Sequence, residues 1–212
     1  MGMERLIQLL QDQGMAMLQR HLFLVFVSLF SAIALALPIG IMITRPPFNR
    51  KTKSILSFLN TAQGVPSLAV VAIFLPIMGI GVRPALFALT IYALLPIARN
   101  TIAGINALDP DVLESAKGMG LSKTEVLLKV ELPLASPIIM AGIQTAAIFT
   151  VGTATIAHVI GAGGFGRLIF TGIAMTTPEY VLAGSLITAI MAITLDLVLG
   201  YVQSRVQKKF GG

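Results

Sequence analysis

Few side chains in this sequence are suited to covalent chemistry. It has no cysteine, which excludes a thiolate nucleophile, a thiolate metal site and a disulfide scaffold. Its two histidines, His21 and His158, are too few for a histidine metal site. Ser185 and His158 are the pair that nucleophilic catalysis would need, but no strained nucleophile motif surrounds Ser185. Gly161, Gly163 and Gly166 satisfy G-x-G-x-x-G, yet an apolar span precedes them and the βαβ context of a dinucleotide site is missing. No G-x-x-x-x-G-K-[ST] phosphate loop occurs, so the chain does not hydrolyse ATP by that route. What remains is polar residues inside apolar runs. Asp196 either binds a cationic substrate or, as is commoner for an intramembrane acid, pairs with a neighbouring helix or snorkels. Asn60, Gln63, Pro66 and Gln144 either line a path or serve as interhelical hydrogen-bond partners and kinks.

The elements that must position these groups are membrane spans. Charged residues make up 11% of the 212 residues, against roughly 25% in a soluble domain. Hydrophobic residues make up 56%, and mean hydropathy is +0.89. The chain is therefore an integral membrane protein, and its apolar runs predict an all-α, polytopic helical bundle. Five spans are expected, at about 21–43, 55–78, 83–102, 134–157 and 181–203. Pro38, Pro66, Pro76 and Pro96 are expected to kink or locally break helices. Residues 1–20 are too polar to span. Leu6, Leu9, Leu10, Met17 and Leu18 give them the spacing of an interfacial helix. No small-residue cleavage site follows the first apolar run, so that span is expected to be retained.

The net charge of +6 would suit nucleic acid if it formed one stripe. Instead the basic residues fall in separate loops. Arg45, Arg50, Lys51, Lys53, Arg99, Lys117, Lys123, Lys129, Arg205, Lys208 and Lys209 share one side of the predicted topology; Arg5, Arg20, Arg83 and Arg167 share the other. The excess is an orientation signal that places the N-terminus outside and the basic tail 205–212 in the cytoplasm, with no nucleic-acid partner.

Residues 107–133 are the longest stretch between spans on the cytoplasmic side. Asp109 is a good N-cap, Pro110 suits the first helical position, and Gly120 is a good stop. Ser122 to Glu125 has the form of a capping box, and Pro133 blocks continuation without a kink. The expected hairpin is a short helix, a glycine turn, a second short helix and a return to the membrane. Val112, Leu113 and Ala116 share one face, with Glu114 and Lys117 beside it. That face suits docking into a groove, or covers the chain's own helices; composition alone does not separate the two. The segment 158–180 is too glycine-rich for a span and too apolar for an ordinary external loop, which fits a re-entrant or interfacial segment. It is either an outer gate or docking surface carried by Gly161, Gly163, Gly164, Phe165 and Gly166, or close packing of small residues. His158 is expected to be a satisfied surface group near the outer interface.

Glu114-Ser115-Ala116, Gly120 and Val130-Glu131-Leu132-Pro133 resemble the EAA loop of binding-protein-dependent ABC importers, with its full spacing. Ser115 replaces an alanine of the family pattern and Val130 an isoleucine. The resemblance implies that the first short helix is a coupling helix seated in a cleft of an ATPase subunit. Asp109, Leu113, Glu114, Ser115, Ala116, Gly120, Leu132 and Pro133 would then transmit ATPase closure to the spans. Asn60 to Ser67, Leu95 to Thr101, Gly161 to Gly166 and Pro178-Glu179-Tyr180 are similar to the osmoprotectant branch, which imports glycine betaine, carnitine and choline. The methionine importer permeases are similar in length, span count and the late glycine-rich loop.

The expectation is thus a permease domain over 21–204 of the ABC importer transmembrane-domain type, in a bacterial cytoplasmic membrane. By the resemblance it works with ATPase subunits, a second permease chain (identical or homologous) and an extracytoplasmic solute-binding protein. ATP and Mg belong to the ATPase, and no cofactor is expected in this chain. Tight recognition of a quaternary cation by an aromatic cage would belong to the binding protein; this chain has no Trp and three Tyr. A methionine permease, an intramembrane enzyme and a passive channel are the alternatives, and neither of the last two needs a motor-docking helix.

Overall fold

The computed structural model describes residues 2–210, and among these there is no strand. Met1, Gly211 and Gly212, the ends of the expected N-terminal segment and tail, lie outside the described residues. Helix α1 spans Gly2–Ile43, α5 Val82–Asn106, α8 Leu132–Ile156 and α10 Pro178–Phe210. These four runs are long and apolar enough to cross a membrane. A fifth crossing is made only if a bent pair is counted as one span. That pair is α2 (Thr52–Ala62, after a 3₁₀ turn at Phe48–Lys51) with α3 (Ser67–Ile73) and α4 (Leu75–Met78). The span expected at 55–78 is therefore not a continuous rod. Pro66 has φ −56 and ψ 131, an extended conformation that ends one helix and caps the next.

Residues 2–43 form one helix with no break at Arg20. The expected interfacial segment is thus continuous with the first span. Its apolar stripe packs within the chain: Leu6 and Met17 are buried with Phe165 and Leu168. Pro38 sits inside α1 and Pro96 inside α5 without ending either helix.

Contacts divide the chain into two units. The first comprises residues 1–32, 65–93 and 147–196. Its core joins Leu24 and Val25 of α1, Val71 of α3, Ala85, Ala88 and Leu89 of α5, and Val151, Ala154 and Ala157 around the end of α8. The second comprises residues 33–64, 94–146 and 197–212. Its helices meet at small residues, as membrane helices do when packing replaces the hydrophobic effect as the driving force. A Cβ on Gly40 of α1 would lie 2.8 Å from Thr101 of α5, and one on Gly142 of α8 would lie 2.6 Å from the Asn100 Cβ of α5. Several hydroxyl groups in these apolar helices are satisfied locally. Thr90, Thr101, Thr145, Thr188 and Thr194 each donate to the carbonyl four residues earlier.

Candidate coupling site

The hairpin is built from the signals its sequence carries. Asp109 is extended (φ −63, ψ 124), and its Oδ1 accepts from the Asp111 N–H at 2.9 Å. Pro110 opens α6, Pro110–Gly118, with Asp111 in its first turn and Lys117 in its last, both favourable to the helix dipole. Gly120 then takes φ +83, a left-handed conformation that costs an L side chain roughly 1–2 kcal/mol. Its N–H donates to the Lys117 carbonyl at 2.9 Å, closing the helix end. Ser122 caps α7, Lys123–Val126, through the reciprocal box: its N–H donates to Glu125 Oε2 at 3.0 Å and its Oγ accepts from the Glu125 N–H.

The α6 surface divides in two. Ala116 is buried and Leu113 half-buried, where α6 packs against α7 and the turn that follows. Val112 and Met119 stay 41% and 75% exposed, beside exposed Glu114 and Ser115. A shallow apolar hollow of about 320 Å³ lies there, lined by Asp111, Val112, Ser115, Ala116, Met119 and Val130. One face thus covers the chain's own backbone and the other is open to a partner. Met119 completes the open face and escaped the sequence analysis, because it lies at the helix terminus, just past the last full turn.

The return to the membrane is made without a break in the helical run. Leu127–Glu131 form a π-helical turn that joins α7 directly to α8, which starts at Leu132. A regular α-helix would press the Pro133 ring against the carbonyl four residues back and leave that carbonyl unbonded; the wider turn ahead of it relieves both problems. Helix α7 and the span therefore form one continuous helical run.

At the end of this turn Glu131 is buried, 5% exposed. Arg45, two residues beyond α1, grips it with both arms of its guanidinium: Nη1 donates to Oε1 at 3.0 Å and Nη2 donates to Oε2. The hydrogen bond to Glu131 holds the Arg45 guanidinium above its ordinary pKa, against the opposing effect of its partial burial. Removing one partner costs less than the ~3–5 kcal/mol of a fully buried pair, because the Arg45 side chain is 39% exposed and solvent screens it. In the sequence Arg45 reads as an orientation charge, and Glu131 only as one position of the Val130–Pro133 stretch with no role of its own. The available signal was a carboxylate beside a span, which needs a partner.

In the first unit the glycine-rich segment is packed rather than loose. After a 3₁₀ turn at Ala157–Ile160 the chain runs through Gly161 to Phe165 into α9, Gly166–Ala174. Gly161 is exposed and Gly163 half-buried, whereas Gly164, Phe165 and Gly166 are buried. A Cβ on Gly166 would lie 1.9 Å from the Thr155 carbonyl oxygen. Gly172 of α9 and Gly184 of α10 provide the same closeness between those helices. His21 is fully buried; its Nε2–H donates to the Val151 carbonyl at 3.2 Å, and its Nδ1 accepts from the Phe165 N–H at 3.3 Å. His158 differs from expectation. It is half-buried and stacked on Phe170, and its Nδ1 has no hydrogen-bond partner among the described residues.

The remaining polar candidates are scattered. Asn60 and Pro66 are exposed, on α2 and ahead of α3. Gln63 is half-buried, with its Nε2 lacking a hydrogen-bond partner among the described residues. Gln144 of α8 lies against Gly200 of α10, and Asp196 is half-buried in α10.

A capped helix with one open face, packed on a helical run that continues into a span, is a mechanical handle. The profile of the family described as binding-protein-dependent transport system inner membrane component matches residues 36–210, which contain this handle whole. The chain belongs to that family. Relatives of this inner membrane component include the glycine betaine/carnitine/choline transport system permease protein OpuCB of Bacillus subtilis, 40% identical over 98% of this chain and 96% of that one. The choline transport system permease protein OpuBB of the same organism is 39% identical over 96% of this chain and 94% of that one. The osmoprotectant import permease protein OsmY of Salmonella typhimurium is 40% identical over 88% and 79%. Among solved structures, an inward-facing MetNI methionine ABC transporter chain aligns with a TM-score of 0.81, covering 96% of this chain and 98% of that one. At 23% identity that likeness shows the fold alone. The inner membrane component is thus a multi-pass membrane protein whose relatives are transport permeases.

Proposed function

We propose that this chain is the permease subunit of an ATP-driven importer that moves a quaternary-amine osmoprotectant, glycine betaine, carnitine or choline, into the cell by alternating access. The observation that carries the reading is α6, capped at both ends, with Glu114, Ser115, Val112 and Met119 left open beside a hollow that suits an inserted partner. The substrate class follows the named permeases of Bacillus subtilis and Salmonella typhimurium. The N-terminus lies outside and the tail in the cytoplasm, which puts α6 on the side where ATP is found. ATP and Mg bind to separate ATPase subunits. Their closure pushes on α6, which packs on α7 across the Gly120 turn, and from α7 the push reaches α8 along one helical run, because α7 and the π turn run straight into that span. A second permease chain, identical or homologous, completes the path, and a solute-binding protein delivers cargo from outside. Asn60, Gln63, Pro66, Gln144 and Asp196 belong to the path, with the unbonded Gln63 amide available to passing solute. Gly161 and Gly163 belong to the outer gate or binding-protein surface, supported from beneath by Gly164, Phe165 and Gly166.

The test is uptake of labelled glycine betaine, carnitine and choline by cells producing this chain with its ATPase and binding protein. Glu114→Ala and Gly120→Pro are expected to abolish uptake while the binding protein still captures solute. Wild-type uptake by the Gly120→Pro protein overturns the coupling role.

A further inference from the structure

Arg45 and Glu131 join two parts of the second unit that are far apart in sequence. Glu131 closes the π turn between the hairpin and α8. Arg45 sits on a firm turn rather than a loose loop: its N–H donates to the Met42 carbonyl at 3.0 Å, and its carbonyl accepts from the Asn49 N–H at 3.0 Å. The Thr44 hydroxyl, beside it, donates to the Ile41 carbonyl at 2.7 Å. The carboxylate is buried and the guanidinium is gripped through both nitrogens, which fixes direction as well as distance; an ammonium would supply only a point charge. Motion of the hairpin reaches α8 through the backbone. For the end of α1 the direct link is this side-chain bridge.

We infer that Arg45 and Glu131 are positioning residues for transport, a strut that makes the end of α1 follow the coupling hairpin. The strut rests on the coupling role proposed for α6. It carries the displacement of the π turn into the end of α1, while α5 receives it directly from α8 where Gly142 meets Asn100. Without it, hydrolysis continues in the ATPase and moves α8 with the α5 helix packed on it, but the end of α1 no longer follows.

The experiment uses the whole complex, this chain with its ATPase and binding protein, in proteoliposomes. Glycine betaine uptake and ATP hydrolysis are measured together, and ATPase co-purification reports assembly. Arg45→Glu and Glu131→Arg are each expected to lower solute moved per ATP by roughly tenfold. The double reversal is expected to recover the wild-type ratio to within about threefold. Arg45→Lys, which keeps the charge and loses the fork, is expected to fall between. Glu131→Gln guards against a variant that fails to assemble: its shape is preserved, and it is expected to assemble and uncouple. A wild-type ratio in an assembled Glu131→Gln complex overturns the strut, as does a double reversal no better than its parents. Glu114→Ala separates the two proposals. If it keeps the wild-type ratio, the role of α6 fails; if it uncouples while Glu131→Gln does not, the strut alone fails.

Discussion

His21 and Phe165, 144 residues apart in sequence, are joined by a hydrogen bond from the Phe165 N–H to the imidazole Nδ1, 3.3 Å long. The other ring nitrogen donates to Val151, so the bonding partners fix the Nε2–H tautomer. The ring pins the glycine-rich segment to both α1 and α8.

Loss of that pin is expected to be costly. His21→Ala leaves the Phe165 N–H buried and unbonded, at about 1–3 kcal/mol. Thermal unfolding of the purified protein in detergent should move down accordingly. An unchanged midpoint would show that the segment holds itself.

Gly164 tests the same contact from the other side. Its φ is +79, and a Cβ there would lie 3.0 Å from His21 Nδ1. Gly164→Ala is expected to cost at least the roughly 1–2 kcal/mol of the left-handed conformation. In a His21→Ala background the steric part disappears, so the two losses should sum to more than the double variant shows. Strict additivity would argue that the residues act independently.

Two glycines on α8 give an internal contrast. A Cβ on Gly142 meets Asn100 at 2.6 Å and the Pro96 carbonyl at 2.9 Å, whereas one on Gly152 meets nothing within 4 Å. Gly142→Ala should force α5 and α8 apart and lower both stability and uptake. Gly152→Ala should do neither. Equal melting curves for the pair would contradict the crossing described here.

The cap of α6 is separable from its docking face. Asp109→Ala removes the acceptor of the Asp111 N–H and should destabilise the helix by about 1 kcal/mol, so that amides 111–118 exchange roughly fivefold faster. Hydrogen exchange followed by mass spectrometry reads this directly. Protection equal to the parent's would remove the cap from the account of how the hairpin keeps its shape.

Orientation can be read chemically, since the chain has no cysteine of its own. Lys117→Cys and Met175→Cys both place a thiol at an exposed position. In right-side-out vesicles a membrane-impermeant maleimide should label the Met175→Cys protein, and should reach the Lys117→Cys protein only after permeabilisation. The reverse pattern would invert the topology.

The hairpin was the most legible part of the sequence. Asp109, Gly120 and the Ser122–Glu125 box are local signals, each acting within a few residues, and each appears in the structure as expected. The long apolar runs were legible for the same reason. Three features were not. The continuity of α7 with α8 depends on a widened turn that no propensity encodes; Pro133 signalled only that a continuing helix would have to be distorted. The break expected at Pro66 does occur, but nothing in the residue itself tells it from Pro38 and Pro96, which stay inside their helices. The partnerships of Arg45 with Glu131, and of His21 with Phe165, span 86 and 144 residues and leave no periodic trace.

The π turn at Leu127–Glu131 has a further consequence. A helix that widens for one turn carries a surplus residue compared with a regular coil of the same length. The wider turn absorbs that surplus, so the handle keeps nearly the azimuth that a regular coil would give it. The regular coil of α8 beyond Pro133 has no such reservoir: one residue added there would swing everything before it by about 100°, one residue's share of a 3.6-residue turn. The handle would survive intact, aimed at the wrong quarter of the compass.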